Sequence, residues 1–282
     1  MRPHTLGLIG LGAIGGSLAR QAKLAGIATV LGWSPEPAER VAAVRQGALD
    51  DAPPRAADVA RAADLLALAA PPAANLAQLE ALAPHLRAGA LVTDVGSVKR
   101  AIVALAERLG LAARFAGSHP LAGTHQRGFE ASRGDLFRGA VVYVTPCTGA
   151  EGESAAREIA HFWEAVLGAH PVTLDAARHD AQLAATSHVP QVVASLLAHF
   201  LAHHAPPGAS FGPGALDTTR LAASDPALWT EILLMNRDAV LPALRALEEP
   251  LGAVERALEA GDGPALTAWL ARAADWRRRV DL

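Results

Sequence analysis

Three glycines spaced as Gly10-Leu11-Gly12-Ala13-Ile14-Gly15, directly after the apolar run Leu6-Gly7-Leu8-Ile9, limit this chain more than any other feature. A backbone that turns sharply, leaves one face bare and then lays a helix against its own strand needs glycine at those three points. The segment from Ser17 to Ala25 has helical composition, so the whole reads strand, turn, helix. Such a turn aims the amides at a helix N-terminus toward phosphate oxygens. The expected ligand is a dinucleotide, NAD or NADP, with Gly10, Gly12, Ala13, Ile14 and Gly15 around its pyrophosphate. Residues 6–19 are uncharged and resemble a signal-peptide core, but their five glycines oppose that reading.

Further short apolar runs stand at residues 28–33, 65–70, 90–94, 114–118 and 141–145, separated by Ala-rich helical stretches. This alternation predicts a parallel sheet with helices on both faces. After Pro171-Val172-Thr173 the rhythm changes: residues 175–205 suit one long helix, broken or bent near Pro190, and residues 225–282 are helical without convincing strands. The prolines and glycines of 206–214 mark a loop between them. The fold class expected is therefore α/β, an N-terminal Rossmann-type doubly wound sheet over residues 1–173 followed by an all-α C-terminal domain over 174–282.

A formal charge of -3 and the absence of any Lys/Arg run give no reason to expect nucleic acid. No stretch offers the roughly 18 apolar residues of a membrane span. The one cysteine, Cys147, cannot form an intrachain disulfide, which suits the cytoplasm, and it reads as a small buried residue. Small molecules and a second copy of the chain are the expected partners.

In a doubly wound sheet the second strand ends on the residue that selects the ribose, here Ser34 in Gly32-Trp33-Ser34-Pro35. With neither an acid nor an adjacent arginine there, NAD and NADP both stay open. Pro71, closing the run at 65–70, is placed to lie along the nicotinamide ribose or simply to start a helix. Two segments at strand ends carry the chemistry: Thr93-Asp94-Val95-Gly96-Ser97-Val98-Lys99 and Gly117-Ser118-His119-Pro120-Leu121-Ala122-Gly123-Thr124. Strand carboxyl ends face the ligand crevice, so Ser97 and His119 should converge beside the nicotinamide. A neutral imidazole can take a hydroxyl proton as hydride leaves the same carbon, and a serine hydroxyl can bind both partners.

These motifs, with the first turn continuing as Gly15-Gly16-Ser17-Leu18-Ala19, resemble the prephenate/arogenate dehydrogenase family. Thr186-Ser187-His188-Val189-Pro190-Gln191 is similar to that family's second histidine motif. Asp217-Thr218-Thr219-Arg220-Leu221-Ala222, with Ser224-Asp225-Pro226-Ala227-Leu228-Trp229, is similar to its substrate-arginine segment. The resemblance covers essentially the whole chain. It implies oxidative decarboxylation of prephenate or arogenate on the route to tyrosine, a Rossmann domain, and a helical domain that forms a homodimer. His119 falls on the family's catalytic histidine, Ser97 on its hydroxyl-binding serine, His188 on its second substrate-site histidine and Arg220 on its carboxylate-binding arginine. Thr124 and Trp229 would border the same pocket. The chemistry needs no metal.

Where some relatives carry an acid after Gly-Thr this chain has His125, which puts their gating ion pair in doubt. Arg220 also admits a surface salt bridge. His199, His203 and His204 have helical spacing that could hold zinc but read better as solvated residues, and Trp163, Trp229, Trp269 and Trp276 are expected first of all to pack. With helix running to residue 282, no additional regulatory domain is expected. The competing functions are another two-domain hydroxyacid or imine dehydrogenase and a non-catalytic nucleotide sensor; a sensor would need none of Ser97, His119, His188 and Arg220.

Overall fold

The computed structural model describes residues 2–123 and 128–280. Strand β1 (Thr5–Ile9) is buried at every position, as a strand covered on both faces must be. Its side chains alternate: Leu6 and Leu8 join one core cluster, Ile9 the other. Helix α1 (Ala13–Leu24) returns the chain to β2 (Thr29–Trp33). Helices α2 (Pro37–Arg45) and α3 (Ala56–Ala62) then lead to β3 (Leu65–Leu68), and α4 (Pro72–Leu82) leads to β4 (Leu91–Asp94). The four strands are parallel in the order β2-β1-β3-β4. Winding therefore reverses between β1 and β3, and at their carboxyl ends a crevice opens where such sheets bind ligand.

Helix α5 (Arg100–Arg108) precedes β5 (Ala116–Pro120), which joins the edge of β4 through the parallel bridge between Val92 and Phe115. Beyond that point the expectation of an all-parallel sheet fails. Strand β6 (Val141–Pro146) runs antiparallel to β5, and β7 (His170–Thr173), reached through α6 (Ala150–Ala165), is parallel to β6. A parallel return from β5 would need a crossover helix. The β5–β6 connection instead crosses to α1, and a Cβ on Gly16 would come within 2.8 Å of Phe129 and Ser132. On that side Trp163 and Phe162 of α6 pack with Leu18 and Ala22 of α1; on the other, Leu79 and Leu82 of α4 pack with Ile102 and Ala106 of α5.

The helical half begins with α7 (Ala176–Leu183), capped by the Asp175 side chain, which accepts from the Arg178 amide at 2.9 Å. A single π-helical turn, Ala184–His188, separates it from α8 (Val189–His204). The predicted long helix is thus interrupted just before Pro190, which has no N–H to continue the ladder. Helices α9 (Pro213–Thr219), α10 (Pro226–Met235), α11 (Arg237–Arg245), α12 (Glu248–Glu259) and α13 (Gly263–Val280) complete it, with a 3-10 turn at Arg220–Ala223. No residue of α9, α12 or α13 is buried, and Trp276, expected to pack, is 60% exposed. No helix among the described residues is long and apolar enough to cross a membrane.

Two carboxylates of the helical half cap helices of the sheet half. Asp180 of α7 accepts from the backbone amides of Lys99 at 2.8 Å and Arg100 at 3.0 Å, at the N-terminus of α5. Glu231 of α10 accepts from Ala73 at 3.1 Å, in the first turn of α4. Each contact pairs an orphan helix amide with a negative charge at the favourable end of the helix dipole.

Candidate active site

At the crevice the three glycines do three different things. Gly10 has φ +100, and a Cβ there would lie 2.6 Å from the Ala69 carbonyl oxygen; one on Gly15 would lie 2.0 Å from the Gly10 oxygen. Both are bound by the close approach of the β1 turn, the β3 loop and α1. A Cβ on Gly12 would meet nothing within 4 Å. Glycine there leaves a bare surface at the start of α1, whose first turn carries no acidic residue and no side-chain cap. The amides of Ala13 and Ile14 open that turn, so the site fits a dinucleotide pyrophosphate. Pro71, exposed, caps α4 beside it, and its loop is pinned by the Ala70 amide donating to Asn75 Oδ1 at 2.9 Å.

Ser34 is buried at the end of β2, and its hydroxyl donates to Glu39 Oε2 at 2.6 Å. An acid thus stands beside Ser34 at the end of β2, supplied by the first turn of α2. No sequence rule for the strand end finds it, because the acid lies five residues downstream and reaches back through the serine. The neighbouring Arg40 donates instead to the Pro54 carbonyl, at 3.3 Å.

Along the same edge of the sheet, β5 alternates its side chains about Ser-His-Pro. Ser118 faces the core, where it accepts from Trp163 Nε1 at 2.8 Å and shares a 2.8 Å hydrogen bond with Thr93. His119 faces the opposite way, paired across the strands with Tyr143 and half-buried. Its Nδ1 lies 2.9 Å from Nε2 of His179 on α7, and His179 Nδ1 lies 2.8 Å from Asp180 Oδ1. Asn236, buried between α10 and α11, donates through Nδ2 to the Asp180 carbonyl at 2.7 Å and lies 3.0 Å from His188 Nδ1. The Trp229 ring stands edge-on to His188, with centroids 5.9 Å apart. Beneath them Lys99 is wholly buried and paired with Asp94, whose Oδ2 also accepts the Gly96 amide at 2.8 Å.

The structure thus gathers His119, His188 and Trp229 of the predicted site into one polar cluster. It adds His179, Asp180, Asn236 and the Lys99–Asp94 pair, to which the sequence reading gave no role. Ser97 is half-buried in the loop two residues before Lys99, and its hydroxyl makes no hydrogen bond to a described residue. Arg220 is exposed on its 3-10 turn, which Gln191 of α8 anchors by donating to Leu221 O at 2.9 Å. The Arg220 guanidinium forms no ion pair with a described residue, and no hydrogen bond links it to the histidine cluster. Thr124 and His125 lie outside the described residues. Among the described residues no group of three or more His, Cys, Asp or Glu could hold a metal, and His203 Nδ1 turns to its own helix at the His199 carbonyl, 2.8 Å away. Burial pushes the Cys147 thiol up to about 12.

Burial also sets the charge state of the cluster. It pulls His119 well below the ordinary imidazole value of 6.5, assisted by repulsion from His179, Lys99 and His188. His188 is brought down to about 4 by the same loss of solvent. His179 is lowered too, with the Asp180 hydrogen bond opposing the shift. Burial works to raise the Asp180 carboxyl, but hydrogen bonds from His179 and from the Arg100 and Lys99 amides hold it below the usual carboxylate range. At neutral pH the cluster is an anionic Asp180 beneath three neutral imidazoles.

An imidazole kept neutral at the end of β5 can accept a proton as hydride leaves the carbon that bears it, and the bare glycine turn on the same edge suits the acceptor of that hydride. Fold and site together define a dinucleotide-dependent dehydrogenase with a helical second domain. Residues 18–172 match the family model described as "Prephenate dehydrogenase, nucleotide-binding domain", and residues 175–272 the one described as "Prephenate dehydrogenase, dimerization domain". The chain is 32% identical over 286 residues to a prephenate dehydrogenase of Bacillus subtilis, spanning 99% of this chain and 76% of that protein. It is 32% identical to a cyclohexadienyl dehydrogenase of Zymomonas mobilis, spanning 92% and 89%. The crystal structure of prephenate dehydrogenase from A. aeolicus in complex with hydroxyphenyl propionate and NAD+ has a TM-score of 0.87 at 28% identity, covering 98% of both chains. The chain belongs to the prephenate dehydrogenase family.

The glycine geometry separates binding from folding. Gly12→Ala should leave the melting temperature within about 2 °C of wild type, because its Cβ meets only open space, yet raise the dinucleotide KM by at least about tenfold. Gly15→Ala should lower stability by about 1–3 kcal/mol or more through overlap with Gly10. Thermal melts and cofactor titrations of the two variants check both outcomes.

Proposed function

We propose that the chain oxidatively decarboxylates prephenate or arogenate, using NAD(P), in the cytoplasm and as a homodimer, with the Rossmann unit at residues 1–173 and the helical unit at 174–282. The observation that carries this reading is the half-buried His119 at the carboxyl end of β5, its Nδ1 2.9 Å from His179 Nε2, on the edge where Gly12 leaves the turn bare. Gly10, Gly12, Ala13, Ile14, Gly15 and Pro71 hold the dinucleotide, which when bound supplies the hydride acceptor. Ser97 hydrogen-bonds the ring hydroxyl. His119 accepts the hydroxyl proton as hydride departs from the same carbon. The resulting dienone loses its ring carboxylate as carbon dioxide, and the bonding electrons pass through the ring to the oxygen, which takes the proton back from His119. Aromatisation drives that step, and no net proton is released. His188 and Trp229 border the substrate, and Arg220, with no competing ion pair among the described residues, offers its fork to the substrate carboxylate. His119→Asn should lower kcat with prephenate or arogenate by about 10² to 10⁴ while leaving dinucleotide affinity unchanged. Wild-type turnover in that variant would remove His119 from the mechanism.

The preferred cofactor is NAD. Glu39, held by Ser34, brings a carboxylate to the end of β2, where it can accept from a ribose 2'-hydroxyl and repels a 2'-phosphate. Initial rates should give kcat/KM for NAD at least about tenfold above NADP, and Glu39→Gln should narrow the ratio. Equal use of both by the wild type would contradict this.

The dimer would form through the helical half. Leu196 and Phe200 of α8, Leu251 and Leu258 of α12 and Trp276 of α13 are exposed, and no residue of α12 or α13 is fully buried in one copy of the chain. The relevant description of residues 175–272 is a dimerization domain. Light scattering at micromolar concentration should give twice the 29.1 kDa chain mass, and a monomer would contradict it.

A further inference from the structure

We propose that His179 and Asp180 are positioning residues that set the tautomer of His119, so that its Nε2 carries a lone pair toward the substrate. The inference rests on the reading of His119 as the base. Asp180 sits at the N-terminus of α5 with its carboxylate already accepting from the Lys99 and Arg100 amides. A carboxylate only accepts, so the 2.8 Å contact with His179 fixes the proton of that ring on Nδ1. His179 Nε2 is then an acceptor, and the 2.9 Å contact with His119 requires His119 Nδ1 to be the donor. The remaining nitrogen of His119, Nε2, is left unprotonated.

The surroundings hold this polarity from every side. On α7, His179 is enclosed by the Tyr143 ring of β6, edge-on at 5.6 Å, and by His119 of β5. From β4 and the turn into α5 come Asp94 and Lys99, which neutralise each other, and from the π turn comes His188, whose Nδ1 faces the Asn236 amide. No other acid stands in hydrogen-bond reach of either imidazole among the described residues, so Asp180 alone directs the chain. During the reaction the proton goes to His119 Nε2 and returns from it; none moves on to His179, whose Nε2 continues to accept the His119 Nδ1–H and holds that ring in place.

The test compares His179→Leu, His179→Gln and His119→Asn in steady-state kinetics with prephenate and NAD, in water and in deuterium oxide. Leucine removes the acceptor and should lower kcat by about 10² or more, leave both KM values within about threefold, and raise the solvent isotope effect because proton transfer becomes limiting. Glutamine can present a carbonyl oxygen to His119 Nδ1 and should recover at least about tenfold of the lost kcat. Should the leucine variant fail to fold, Asp180→Asn gives the same reading: an amide cannot satisfy two α5 amides and the His179 proton together, so kcat should fall by at least about tenfold at unchanged KM. If His119→Asn is impaired while His179→Leu, or Asp180→Asn in its place, keeps wild-type kcat and isotope effect, the positioning role is overturned and the base survives. If His119→Asn turns over like wild type, the base itself is overturned, and the positioning role falls with it.

Discussion

The Asp180 carboxylate is the constraint on which the rest of this site depends. It is nearly inaccessible to solvent, and a buried charge survives only when its lone pairs are taken up. Three donors do so: two amides at the start of α5, which belong to the sheet half, and the His179 ring, which reaches toward β5. One residue thus ties the helical unit to the carboxyl edge of the sheet and orients the side chain lying over that edge. Removing the charge would leave two helix amides unpaired at the same time as it freed the imidazole, so fold and chemistry share one hydrogen-bonded centre.

Electrostatics then does what a lone histidine cannot. Solvated imidazole titrates near pH 6.5 and loses its basic form as pH falls through that value. Here burial, two further imidazoles and the Lys99 ammonium all disfavour a positive charge on His119. The sign follows directly: a base with a lowered pKa stays active as pH falls through 6.5 and loses function only at more acid values. Lys99 is buried against Asp94; burial pulls the Lys99 ammonium below its ordinary value, and the Asp94 carboxylate opposes that shift.

Much of this was legible in the sequence, where function needs a local backbone shape. The glycine turn and His119 at a strand end are short patterns whose local backbone shape the structure reproduces. Long-range partners were not legible. His179 and Asp180 meet His119 and Lys99 across 60 and 81 residues of chain, and an ordinary His-Asp pair in a helix carries no sign of that meeting. Glu39 was hidden for a related reason, since it reaches the selector position through a side-chain hydrogen bond rather than by its place on β2. The reversed direction of β6 escaped the pattern of apolar runs because strand periodicity carries no information on direction. Trp276 was expected in a core, as large aromatics usually are, and stands exposed on a helix that a single chain does not cover.

The central claim is that a buried acid, acting through one imidazole, sets the tautomer of another that burial keeps neutral, leaving its Nε2 free. Nitrogen-15 NMR of the histidine side chains reads that state directly. At neutral pH His119 and His179 should both be neutral and both protonated on Nδ1, with His119 resisting protonation below pH 6.5. A cationic His119 at neutral pH, or a neutral ring with its proton on Nε2, would contradict it.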